Sequence, residues 1–217
     1  MNRRLMLSLS AVLLFPLSSL ASSEADAPAH ACDKARSEEA DARPAPRAAT
    51  PRSDAPSVGP VSARVTVEVW SDFECPYCAR GATTLSALRA KYGDRVRFVF
   101  RNLPLPGHAH AKLAAAAAMA ANEQGKFWEF HDGLFAQQDA LDRAGLESLA
   151  RKLGLDVARF RTALDKRSWD SYVEADAVEA RSRGVLGTPT FFVNGQPVTG
   201  AQPIENFAQL IDAELSR

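Results

Sequence analysis

The spacing of apolar residues divides the chain into segments of two different periods. Val65, Val67 and Val69 alternate with Thr66, Glu68 and Trp70, which predicts a strand with both faces largely apolar, suited to the middle of a sheet. Leu85, Leu88 and Tyr92 then follow at helical spacing, and Gly93 closes that helix. Val96 to Asn102 reads as a second strand. Lys112 to Asn122 is alanine-rich and predicts a helix able to pack closely. Phe127, Trp128, Phe130, Leu134 and Phe135 form an aromatic helical face. Further helices are expected at 143–153, 157–166 and 169–183. Gly187-Thr188-Pro189 breaks the pattern, Thr190 to Val193 reads as a strand, and Asn194-Gly195 is a hairpin turn into Gln196–Thr199. An amphipathic helix from Pro203 to Leu215 ends the pattern. The order is β-α-β, a block of helices, then β-β-α.

The N-terminal part reads differently. Arg3 and Arg4, an apolar run from Leu5 to Leu20 and the small-residue site Ser19-Leu20-Ala21 predict an export signal over 1–21. The run is short for a membrane span and contains Pro16, which favours cleavage over a retained anchor. Residues 22–60 carry Val58 as their only large aliphatic or aromatic residue, and hold six of the chain's 13 prolines (Pro28, Pro44, Pro46, Pro51, Pro56 and Pro60). Such a segment buries too little apolar area to offset its ordering entropy, so a disordered linker is expected over 22–60 and one folded domain over 61–217. Cys32 trails Leu20 too far to be a lipidated cysteine and reads as an isolated thiol in the linker.

Composition narrows the chemistry. Among 217 residues, Lys plus Arg and Asp plus Glu are equal at 26 each, so no basic excess points to nucleic acid or an anionic membrane. Three cysteines are too few for a disulfide scaffold, and two of them form Cys75-Pro76-Tyr77-Cys78 at the start of a helix. Helical geometry brings positions i and i+3 together, as an exchanging dithiol requires. The first thiol sits where unpaired N–H groups and the macrodipole favour a thiolate. Pro76 at the first helical position has no N–H to leave unpaired. Cys75 is therefore the expected nucleophile and Cys78 the resolving thiol. The competing reading is a zinc site, but one C-x-x-C supplies two ligands where structural zinc takes four. His108 and His110 could be proposed as the others, but they are closely spaced and followed by helix.

The stretch Phe73-Glu74-Cys75-Pro76-Tyr77-Cys78 after a strand, with Gly187-Thr188-Pro189-Thr190-Phe191-Phe192-Val193-Asn194-Gly195 later, resembles the DsbA-like branch of the thioredoxin superfamily. The resemblance implies an α/β fold, a thioredoxin-like sheet with an inserted helical block over about 103–187. It implies a cis Pro189 against the cysteines, Thr188 pairing its backbone with an extended client, and Pro76 and Tyr77 bordering the same surface. It also implies thiol- or disulfide-containing client proteins, a membrane redox partner, no cofactor, and a periplasmic or otherwise exported location. DsbA-like proteins carry a buried acid on the first strand that passes protons to the resolving cysteine. Glu68 is the counterpart here, with a one-residue offset relative to the cysteines, and is expected beneath Cys78 with a raised pKa. Glu74 is expected to be a solvated neighbour of the nucleophile, and His131 and Trp70 to be packing residues.

Three function classes remain at this point: a thiol-disulfide oxidoreductase, a C-x-x-C metal-binding module, and a chaperone that keeps the fold without using its thiols. Within the first, 22–60 cannot supply a dimerisation domain, so a monomeric oxidase or reductase is expected rather than a dimeric isomerase. Tyr77 adds no positive charge to the motif, whereas DsbA carries histidine there. The expected couple is therefore intermediate, between about −120 and about −230 mV.

Overall fold

The computed structural model describes residues 53–217. Their sheet has five strands: β1 (Ser57–Val58), β2 (Val65–Ser71), β3 (Val96–Asn102), β4 (Thr190–Val193) and β5 (Gln196–Thr199), in the order β1-β3-β2-β4-β5. The four longer strands are those predicted from the apolar spacing. β2 and β3 are parallel, in register from Val65 opposite Val96 to Ser71 opposite Asn102. Parallel neighbours need a crossover, and helix α1 (Pro76–Tyr92) supplies it. β4 runs antiparallel to β2, with Val69 opposite Phe191 and Glu68 opposite Phe192. Asn194 and Gly195 have φ of 45° and 86°, as a two-residue hairpin turn demands, and join β4 to β5.

The linker expectation is corrected at its end. Ala55 and Pro56 are buried, Ser57 and Val58 pair antiparallel with Val99 and Phe98, and the Phe100 N–H donates to the Pro56 carbonyl at 2.9 Å. Gly59 makes the entry possible: its φ is +93°, and an added Cβ would lie 2.3 Å from the Val96 carbonyl oxygen. Two residues of edge strand carry too little hydrophobic pattern to be recognised in sequence. The signal over 1–21, Cys32 and the rest of the linker before residue 53 lie outside the described residues.

Helices α2 (Ala111–Asn122), α3 (Phe127–Ala136), α4 (Arg143–Lys152), α5 (Val157–Asp165) and α6 (Asp170–Ser182) form the inserted block, and α7 (Ile204–Leu215) follows the hairpin. Asp142 and Asp156 cap α4 and α5 by accepting the N–H groups of Gly145 and Arg159. The alanines of α2 are buried, and their small side chains let α3 and α5 approach. Phe73 links the β2–α1 turn to this block, stacking on Phe100 with centroids 5.2 Å apart and meeting Phe135 at 5.1 Å. His131 lies edge-on to Phe73, Phe100 and Phe135 within the same cluster, and burial pushes its pKa down. It is a packing residue, as expected.

The sheet has two unlike covers. Val67, Val69, Phe191 and Phe207 belong to the core shared with α1, α7 and the helical block. Trp70, Phe192, Ala177 and Ala180 belong to a smaller cluster under α6 on the opposite face. No helix among the described residues is long and apolar enough to cross a membrane.

Candidate active site

Two chain breaks meet at the C-terminal end of β2: the β2–α1 turn and the loop entering β4. Cys75 is the N-cap of α1, in extended conformation (φ −74°, ψ 123°), with Pro76 at the first helical position. Its carbonyl accepts the N–H groups of Cys78 at 3.0 Å and Ala79 at 3.2 Å, which opens the helix and sets Cys78 one turn inside. Both thiols are free and buried. The Cys75 Sγ lies 3.7 Å from the Thr188 carbonyl oxygen. The Thr188–Pro189 peptide is cis, and Pro189 is buried against α1. Gly81 permits that approach, since an added Cβ would stand 3.1 Å from the Pro189 Cγ and 3.3 Å from the Phe191 Cζ.

Cys78 is surrounded by neutral donors. The Asp72 backbone N–H points at its Sγ from 3.4 Å, and the hydroxyls of Ser71 and Thr188 face it. Burial pushes its pKa up to about 12; those hydrogen bonds oppose the rise and the neighbouring Cys75 adds to it. The two thiols thus differ in position: one caps the helix beside the Thr188 carbonyl, and the other is held in a weakly polar recess.

Pro76 is exposed, and Tyr77 is 57% exposed at the surface of the motif. The Arg80 guanidinium stacks over the Tyr77 ring at 4.6 Å, so a positive charge stands beside the motif although Tyr77 itself brings none. A groove of about 460 Å³, lined in part by Leu103, Leu105, His108, Val185 and Leu186, lies beside the chain that leads to Thr188.

The placement of Glu68 corrects its expected role. It is buried, and burial raises its pKa against the pull of Arg183 and Arg101. It does not lie beneath Cys78. Side chains alternate along a strand, and Glu68 shares its face with Trp70 and Phe192, whereas α1 packs on the Val69 and Phe191 face. The one-residue offset relative to the cysteines therefore puts Glu68 on the other side of the sheet. There it meets Arg101 at 3.2 Å and Arg183 at 2.8 Å.

Asp72 and Gln138 were not singled out from the sequence. The Asp72 carboxylate accepts the N–H groups of Glu74 and Leu105, each at 2.8 Å, and meets His108 Nδ1 at 2.7 Å. Gln138 donates to the Phe73 and Cys75 carbonyls at 2.8 and 3.0 Å. Asp72 follows a strand and could have been suspected as a turn-forming residue. Nothing local marks Gln138. Glu74 is partly buried rather than solvated, with its carboxylate accepting the His110 N–H at 2.7 Å. Among the described residues no group of three or more His, Cys, Asp and Glu is arranged to hold a metal ion.

Known proteins share this fold. The model of the Thioredoxin family matches residues 52–213. A thioredoxin-like oxidoreductase from Silicibacter pomeroyi DSS-3 superposes with a TM-score of 0.69 at 28% identity, over 76% of this chain and 95% of that one. The thiol-disulfide exchange protein alpha-DsbA2 from Wolbachia pipientis shares the fold, with a TM-score of 0.67 at 20% identity over 73% of this chain and 86% of that one. In sequence, 155 residues are 41% identical to a Na(+)/H(+) antiporter NhaA from Herminiimonas arsenicoxydans, 71% of this chain but 25% of that protein. The chain spans about a quarter of the length of the curated relatives it matches. With the family model covering well over half of the chain, and the cysteine pair and cis-proline loop in contact, the chain belongs to the thioredoxin family.

Proposed function

We propose that this protein is exported, acts as a monomer and donates disulfides to folding proteins through Cys75 and Cys78. The observation that carries the reading is the pairing of a helix-capping Cys75, 3.7 Å from the Thr188 carbonyl, with a recessed Cys78 whose pKa is pushed up to about 12. In the oxidised form, a client thiolate attacks the Cys75 sulfur. The Cys75–Cys78 bond breaks, and its electron pair leaves on Cys78, which then takes a proton. A second client thiolate attacks the client sulfur of the mixed disulfide and releases Cys75. The client has lost two electrons and the cysteine pair has gained them. A membrane redox partner of disulfide or quinone chemistry then removes those electrons. During the mixed-disulfide stage, Thr188 and Pro189 border the client backbone, with Pro76 and Tyr77 on its other side.

Donors beside Cys78 support this order of events, because they stabilise the thiolate at the moment it leaves. The export signal over 1–21 supports an oxidising compartment, in which a disulfide donor works. Equilibration with glutathione tests the direction. A couple between about −120 and about −230 mV is expected, and one near about −270 mV would make the protein a reductase instead. In the same assay Cys75→Ser should abolish exchange, and Cys78→Ser should trap a mixed disulfide with client. Exchange that survives in Cys75→Ser would overturn the enzymatic role of the pair.

A further inference from the structure

The redox turn is gripped by a residue of the inserted block that belongs to neither cysteine motif. Gln138 lies in the connection between α3 and α4. Its two hydrogen-bond partners at the turn are both carbonyls, Phe73 at 2.8 Å and Cys75 at 3.0 Å, so the amide must present its NH₂ end to them. The Cys75 carbonyl is also the acceptor from which the first turn of α1 hangs, through the N–H groups of Cys78 and Ala79. One side-chain amide thus holds the oxygen that links the two cysteines.

The support behind Gln138 is itself rigid. Gln137 donates to the carbonyls of Ala140 at 3.2 Å and Gly145 at 3.4 Å, and the Ala140 N–H returns to the Gln137 carbonyl at 2.9 Å. Leu141 is buried, Asp142 caps α4, and Phe135 at the end of α3 packs on Phe73. A donor presented from so fixed a connection orders the turn before any client arrives, which is the arrangement that gives reacting groups their geometry at no later cost.

We propose that Gln138 is a positioning residue for the redox pair, through which the helical block holds the Phe73 and Cys75 carbonyls and so fixes where the Cys75 thiol stands. The inference rests on the exchange reading above for its meaning, but its test does not need a client. The two bonds are made with both thiols free, so they support the turn in the form it takes in the reduced pair. Removing them shifts the couple toward the disulfide.

The test is made on the full chain with Gln138→Ala and the isosteric Gln138→Glu. Two quantities are read: the equilibrium constant of the Cys75–Cys78 pair with glutathione, and the rate of Cys75 alkylation at fixed pH. Gln138→Ala should shift the equilibrium toward the disulfide and slow alkylation, each by about fivefold, the size of one net hydrogen bond. Gln138→Glu should do more, about tenfold or above, because its carboxylate faces two carbonyl oxygens and repels both. Gln138→Lys, which donates but cannot accept, should recover most of the loss. If both quantities stay within about twofold of wild type in Ala and Glu variants, whatever happens to the melting temperature, the residue serves the fold alone and the proposal is wrong. Failure of all three variants to fold would overturn it in the same way. A wild-type chain inert toward client proteins would instead sink the exchange reading, and the glutathione and alkylation results for Gln138 would stand.

Discussion

Strand β2 buries titratable chemistry against both of its faces, and the two faces treat it in opposite ways. On the α1 side, Cys78 meets only neutral donors: one backbone N–H and the hydroxyls of Ser71 and Thr188. Those donors offset the cost of a buried charge only in part, and burial pushes the Cys78 pKa up to about 12. On the α6 side, Glu68 meets two guanidinium groups, Arg101 and Arg183. Arg101 also bonds Asp176 at 3.0 Å and Glu179, and lies 4.5 Å over the Trp70 ring. Asp176 in turn accepts the N–H of Asn102 at 3.0 Å, tying α6 to the end of β3. A buried group left among neutral partners remains reactive, whereas one locked into opposite charges becomes part of the frame. Two positions apart in function are here one position apart in parity.

That contrast breaks most readily at Arg101. Arg101→Met removes the cation among three carboxylates and should cost about 3–5 kcal/mol, as loss of one partner from a buried ion network does. Denaturant unfolding of the reduced protein measures it. The folded fraction should keep its glutathione equilibrium within about twofold, since Arg101 lies on the sheet face opposite the cysteines. A loss under about 1 kcal/mol would mean that the network is not structural.

The Cys78 side predicts a pH slope. Its folded pKa is raised, so the reduced folded state binds the thiol proton more tightly than the unfolded chain does. The associated stability is fully present below the ordinary thiol range and is lost as pH rises from there toward about 12. Cys78→Ser should flatten that part of the stability profile relative to reduced wild type. Identical slopes would show that Cys78 is not held in a recess.

Glu68→Gln separates the frame from a proton relay. It should cost about 1–3 kcal/mol through weakened pairing with the two arginines. The pH dependence of exchange should not move. A shifted profile would return Glu68 to the chemistry and undo the division between faces.

The smallest effect is expected from Ser71→Ala, which removes one hydroxyl facing Cys78. Release of Cys78 from the disulfide should slow by about fivefold, with stability changed by no more than about 1 kcal/mol. Stopped-flow reduction by a small thiol would resolve it. An unchanged rate would leave the Asp72 N–H and the Thr188 hydroxyl as sufficient donors.

Much of the fold and part of the site could be read in advance. Strong local signals carried the four longer strands, the alanine-rich and aromatic helices and the Asn194–Gly195 hairpin, because each rests on residues within a few positions of one another. The C-x-x-C motif was placed for the same reason: Cys75, Pro76 and Cys78 need only the start of one helix to come together. Glu68 was misplaced because the acid of DsbA-like proteins was carried across a one-residue offset, and a strand turns such an offset into a change of face. β1 was missed because two edge residues leave no periodic trace. Gln138 was invisible, since its partners lie more than sixty residues earlier in the chain and an isolated glutamine in a loop carries no signal.

The amino-acid sequence alone thus determined the elements, the cysteine pair at the helix start and the loop that faces it, through periodicity and turn chemistry that act over short range. Tertiary structure alone decided which buried groups meet. It set Cys78 among hydroxyls, Glu68 between Arg101 and Arg183, and the Gln138 amide on the Cys75 carbonyl. Those choices depend on packing between elements far apart in the chain, where a hydrogen bond or ion pair is fixed by distance in space and leaves no spacing rule behind it.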